Sequence, residues 1–211
     1  FAIHTGGIAV YPRLIAAEHF EELPDGAASS GIAELDALLG GGPELGSSML
    51  IMGATGVGKS TLATRYALEA AARGENALFF LFDETMRAFR ARSEGLGLQL
   101  GPHLESGRIK LRQIDPAEFS AGQFAHFVVD AVEVDDVRFV AIDSLSGYLS
   151  AMPEERFLAT HVHELLTYLS HRNVVTLVTL AQHGIVGERV QSPVEISYLA
   201  DSVLLLRYFE A

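Results

Sequence analysis

One short run of residues concentrates the chemistry available to this sequence. Gly53-Ala54-Thr55-Gly56-Val57-Gly58-Lys59-Ser60 matches the pattern G-x-x-x-x-G-K-[ST]. The glycines let the backbone curl so that successive N–H groups turn toward phosphate oxygens. The helix expected from about Lys59 adds the positive end of its dipole, with Thr61 continuing the cradle. Lys59 is long enough to meet β- and γ-phosphates, and the Ser60 hydroxyl can take a Mg²⁺ coordination position. The expected ligand is a nucleoside triphosphate with its magnesium.

Further polar residues close apolar runs. Phe139-Val140-Ala141-Ile142 ends in Asp143. An acid there, at the carboxyl edge of a sheet and beside the phosphate loop, can hold the water shell of Mg²⁺. Ala77–Phe82, expected as the strand neighbouring the phosphate loop, ends in Asp83-Glu84. That pair can polarise an attacking water or hydroxyl. Asp83 can equally cap the helix that follows, with Glu84 in its first turn, and both readings can hold at once. Gln182 ends another strand, where it can hydrogen-bond a γ-phosphate or the lytic water. His183 reads as a loop residue. His161 and His163 do not share a helix face at a spacing of two, so they read as a solvated helix surface and no metal site.

These residues need a scaffold. A buried strand over Met49–Met52 leads into the loop, and a helix over Thr61–Arg73 leaves it. Further strands are expected at Ala77–Phe82, Arg108–Gln113, Phe139–Ile142, Val174–Ala181 and Tyr198–Phe209, the last with a bend near Asp201. Helices are expected over Ile32–Leu39, from Asp83 to about Gly95, over Glu118–Glu133 and over Glu154–His171. Strands without alternation, separated by helices, predict an α/β fold with a mostly parallel sheet covered on both faces. Residues 1–27 differ in style. Phe1 and Ile3, then Ile8 and Val10, form short β-like pieces around Thr5-Gly6-Gly7, followed by a polar linker.

Composition limits the alternatives. A chain of 211 residues, 49% apolar and 20% charged, is globular and long enough for one α/β domain with an appendage. It has no cysteine, which removes disulfides and thiolate chemistry and suits a reducing cytoplasm, the expected location. A net charge of −12 argues against a general nucleic-acid binder. No apolar run approaches the roughly 18 residues of a membrane span.

Taken together, the phosphate loop, Asp83-Glu84, Asp143-Ser144 and the segment Ile196-Ser197-Tyr198-Leu199-Ala200-Asp201-Ser202-Val203 resemble the KaiC family of RecA-like ATPases. Ser30-Gly31-Ile32-Ala33-Glu34-Leu35-Asp36, with Gly40-Gly41-Gly42, is similar to that family's segment ahead of the phosphate loop. The resemblance covers residues 28–211. It implies a three-layer RecA-like core that binds ATP with Mg²⁺ and hydrolyses it. It also implies a homo-oligomeric ring, usually of six subunits, a regulatory protein partner, and in clock members phosphorylation of the protein's own Ser/Thr. Ser197 matches a phosphorylated Ser, while Tyr198 stands where a Thr would be. Asp83 stands where the family commonly has Glu. Phe1–Leu14 is similar to the closing hairpin of a preceding core, so the chain reads as the second half of a tandem protein, and the family's Lys-x-Arg segment would fall beyond Ala211. Two readings from other classes stand beside this one: a DNA-dependent RecA/RadA-type recombinase, and a nucleotide-controlled scaffold that does not hydrolyse.

Overall fold

The computed structural model describes residues 2–4, 6–16, 25–115, 120–151, 158–181 and 199–208. A small antiparallel hairpin, β1 (Ala2–His4) and β2 (Gly7–Ala9), pairs Ile3 with Ile8 across the turn. Residues 10–16 then run along the body of the protein. There His126 Nε2 meets the Pro12 carbonyl at 3.1 Å, and Ala16 is buried.

The core is built on β3 (Ser48–Gly53), β4 (Asn76–Leu81), β5 (Ile109–Gln113), β6 (Val137–Asp143), β7 (Val175–Ala181) and β8 (Ser202–Leu206). They form a 6-stranded sheet in the order β5-β4-β6-β7-β3-β8, and every neighbouring pair is parallel. The near-continuous apolar runs follow from this placement, because both faces of the central strands are covered. Leu50, Leu78, Phe80, Val140 and Val178 face one helical layer. It contains α5 (Ala121–Glu133), α6 (Leu145–Ala151) and α7 (Leu158–His171). Met49, Ile51, Phe79, Phe139, Ala141 and Leu177 face the other. There α2 (Lys59–Ala72) and α3 (Met86–Gly95) pack, with the short α1 (Ala33–Leu38) and α4 (Gly101–Glu105) at the margins. The result is the three-layer α/β architecture expected from the sequence.

Several boundaries differ from expectation. α5 begins at Ala121 because Ser120 closes a capping box: its Oγ accepts from the Gln123 amide while Gln123 Oε1 accepts from the Ser120 amide at 2.9 Å. α3 is capped by Thr85, whose Oγ1 accepts from the Ala88 amide at 3.2 Å, and not by Asp83. The stretch after Asp143, expected as a loop, contains α6, and the following helix is described from Leu158. α4 has no counterpart among the expected elements. The last strand is short. Asp201 bends the chain ahead of it by accepting from the Ser48 amide and hydroxyl, both at 2.8 Å. This tie sets the start of β8 beside the start of β3.

Ahead of β3, Asp36 gathers the leading segment. It accepts from Ser29 Oγ at 2.6 Å, from the Ser30 amide at 2.8 Å and from Ser30 Oγ at 2.6 Å. Burial alone raises the Asp36 pKa, but the serine hydroxyls and amides outweigh it, so the carboxyl sits below its ordinary value.

Candidate functional site

The site is assembled at the carboxyl ends of the parallel strands. β3 is buried along its whole length, and its last residue, Gly53, opens the loop. Gly58 closes the loop in the left-handed region at φ 106°, a conformation open to glycine at little cost, and α2 starts at the next residue. The first-turn amides of such a helix have no acceptor within the helix and face an incoming anion. Ser60 and Thr61 lie in that turn, half-buried, while Thr55 and Gly56 at the loop crown are exposed. Every residue predicted for the cradle, from Gly53 to Thr61, lies in this strand–loop–helix unit.

Lys59 is only 8% exposed. Its Nζ folds back to donate to the Gly53 carbonyl at 3.0 Å and the Ala54 carbonyl at 2.8 Å. Burial pushes the ammonium below its ordinary pKa, and the negative charge of Asp143 pulls it partly back. A buried lysine answered chiefly by neutral loop carbonyls can exchange them for the charged oxygens of a phosphate.

Asp143, at the end of β6, is also 8% exposed. One of its oxygens accepts from the hydroxyl of Thr179 on β7. β7 thus does more than fill the sheet. It separates β3 from β6 and sends a hydroxyl to orient the acid. Thr179 was not singled out from the sequence. Its signal is a polar residue in the buried run Val175–Ala181, where an unpaired hydroxyl is costly. Asp143 and Ser60 offer oxygen donors only, the set that Mg²⁺ prefers, so the residues present fit that ion. Among the described residues no cluster of three or more His, Asp or Glu side chains forms a metal site of its own.

The Asp143–Ser144 peptide is cis, and α6 follows it. Ser144 Oγ donates to Asp83 and accepts from the Gly147 amide at 3.1 Å. Asp83 is therefore tied to the residue next to Asp143. Glu84 turns the other way and forms an ion pair with Arg92 on α3. The acidic pair is divided: Asp83 joins the site, and Glu84 joins the helix beside it. Neither makes the α3 cap bond, which belongs to Thr85.

A second correction concerns distance. β4 follows β3 in the chain and was expected beside it, but β7 and β6 lie between them. At about 4.8 Å per strand, Asp83 stands roughly 14 Å across the sheet from the phosphate loop. The cause is topological, since the crossover through α2 carries the chain over the places that β7 and β6 later fill. An acid at that distance cannot touch the loop, but it can face the far end of a ligand seated there.

Gln182, His183, Ser197 and Tyr198 fall outside the described residues. His161 and His163 lie on α7, the first half-buried and the second exposed. Among the described residues no helix is long and apolar enough to cross a membrane.

Comparison with known proteins addresses the family. The sequence model of the KaiC ATPase family matches residues 28–211. The circadian clock protein KaiC3 of Synechocystis is 27% identical over 208 residues, covering 99% of this chain and 41% of that protein. The circadian clock oscillator proteins KaiC of Picosynechococcus and of Synechococcus elongatus are each 28% identical over 212 residues, covering all of this chain and 40% of each relative. The chain thus spans about two fifths of the length of these relatives. With a family match over most of its length and an all-parallel RecA-like core beneath it, the chain belongs to the KaiC ATPase family.

Proposed function

We propose that this chain binds Mg-ATP on residues 53–61 and hydrolyses it slowly. The observation that carries the reading is the buried Lys59, held on the Gly53 and Ala54 carbonyls under the charge of Asp143. On binding, Lys59 exchanges loop carbonyls for β- and γ-phosphate oxygens. Ser60 and Asp143 would hold the Mg²⁺, which when bound would neutralise charge on the phosphate oxygens. Thr179 keeps Asp143 oriented. Asp83, fixed by Ser144 on the far side of the site, accepts a proton from the attacking water. Glu84, neutralised by Arg92, supports α3.

The finer parts of the reading rest on family membership. We extend to this chain a ring of like subunits, six in number, with the nucleotide between neighbours. We further propose phosphorylation of its own Ser197, a regulatory protein partner, a place in a tandem protein, and a clock-type role, since the relatives are circadian clock proteins by name. The test incubates the complete protein and its Lys59→Ala variant with γ-labelled ATP, scoring released phosphate and labelled protein separately. Release that is lost in Lys59→Ala supports the ATPase, and label lost in Ser197→Ala supports the autokinase. Equal ATP affinity in parent and Lys59→Ala overturns the phosphate-loop assignment.

A further inference from the structure

β8 lies beside β3 in parallel, with Gly53 opposite Leu206. Two residues further on, Thr55 at the crown of the phosphate loop comes abreast of Tyr208. The Tyr208 hydroxyl donates to the Thr55 carbonyl at 3.0 Å. A Cβ added at Gly56, whose φ is 83°, would come within 3.0 Å of that same hydroxyl. Tyr208 is 57% exposed, so its ring is not held by packing. At the other end, Asp201 pins the strand on Ser48, and this bond fixes the register that delivers Tyr208.

The Thr55 carbonyl and the Gly56 amide belong to one trans peptide group, so they point in opposite directions. A donor that holds the carbonyl outward therefore holds the N–H toward the inside of the loop. We propose that Tyr208 is a positioning residue for the phosphate loop: through the Thr55 carbonyl it sets the Thr55–Gly56 peptide so that the Gly56 N–H meets a phosphate oxygen. The proposal rests on the reading of residues 53–61 as a phosphate site and adds a residue outside its sequence pattern. The loop is then partly organised before ligand arrives, and loss of the hydroxyl makes the ligand itself supply that ordering. Because the contact is to phosphate, the effect does not depend on the base.

The experiment compares the parent chain with Tyr208→Phe, which removes only the hydroxyl. The probes are Mg-ATP, Mg-ADP and magnesium pyrophosphate. One neutral hydrogen bond corresponds to a loss of about 2- to 13-fold in affinity. The expected result is a loss of that size, equal for the three probes, with an unchanged melting temperature. In glycine-labelled protein without ligand, the Gly56 amide resonance shifts or broadens in the variant. Unchanged affinities overturn the proposal. So does a loss confined to the nucleotides, which would mean that the ring contacts the base. If the parent binds none of the probes, the ATPase reading fails, and an unchanged Gly56 amide then overturns the role of Tyr208 independently.

Discussion

Replacing Gly147 with alanine should separate helix propensity from packing at the point where α6 meets β4. Gly147 is a buried residue inside α6, where alanine ordinarily gains about 1 kcal/mol over glycine. A Cβ there, however, would lie 2.5 Å from Phe82 Cβ and 2.6 Å from Asp83 Oδ1. Carbon contacts settle near 3.5–4.0 Å, so α6 must retreat by about 1 Å. Phe82 Cβ is fixed by the backbone and cannot turn aside. Overpacking of this kind costs about 1–3 kcal/mol. With Phe82 Cβ fixed by the backbone and the Asp83 carboxylate held by Ser144, the upper figure applies, leaving a net loss of about 2 kcal/mol. For a domain of this size that lowers Tm by roughly 4–8 °C. Gly95, in the last turn of α3, is the control, since no atom lies within 4 Å of its added Cβ. Gly95→Ala should raise stability by about 0.5–1 kcal/mol. Calorimetric melting of the two variants should therefore move in opposite directions. If Gly147→Ala rises with Gly95→Ala, α6 does not pack on Phe82 and Asp83, and the tie between Ser144 and Asp83 goes with it.

Three further outcomes follow from the site. Asp83→Asn should keep Mg-ATP binding and slow turnover by about 10²–10⁴, whereas Glu84→Gln should stay within about tenfold of the parent; the reverse order in steady-state assays would make Glu84 the base. Lys59 is pushed below its ordinary pKa in the free protein, and bound phosphate favours its charged form, so affinity should fall as pH rises through the free-protein value. Calorimetry at alkaline pH, in buffers of different ionisation enthalpy, should show proton uptake on binding, absent in Lys59→Arg. Asp36 is held below its ordinary pKa, so it contributes stability that is present above about pH 4 and lost as pH falls through its folded-state value. Acid unfolding of the parent and Asp36→Asn should therefore converge at low pH, and a constant gap at all pH values would rule the carboxylate out.

The parallel sheet, both helical layers and the phosphate loop were legible because their signals are local. Unbroken apolar runs read as strands covered on both faces, and the loop pattern specifies its own backbone. Asp143 was legible for the same reason, as an acid closing such a run. The division of Asp83 from Glu84 was not, because it depends on Ser144 and Arg92, which lie 61 and 8 residues away in the chain. Thr179 and Tyr208 reach the site only through strand order and register, and neither is written in local periodicity. The same holds for the distance between β3 and β4: adjacency in the chain suggested adjacency in the sheet, and the crossover through α2 undoes it. The cap of α3 fell to Thr85 because Asp83 was already engaged by Ser144.

The place of β7 also orders the events of folding. It is made after β3, α2, β4, α3, β5, α5 and β6, yet it joins β3 to β6 through pairs such as Ser48 with Thr176 and Phe139 with Val175. Until it docks, the strand bearing the phosphate loop and the strand bearing Asp143 belong to separate half-sheets with bare edges toward each other. Such long-range parallel pairing forms slowly and leaves sticky edges while it waits. Thr179 arrives on the same strand, so Asp143 acquires its orienting partner only at this step. A chain emerging from synthesis thus carries a complete phosphate-loop sequence long before it has a nucleotide site. Recovery of phosphate binding in a refolding experiment will lag behind recovery of helix, and will report closure of the whole sheet.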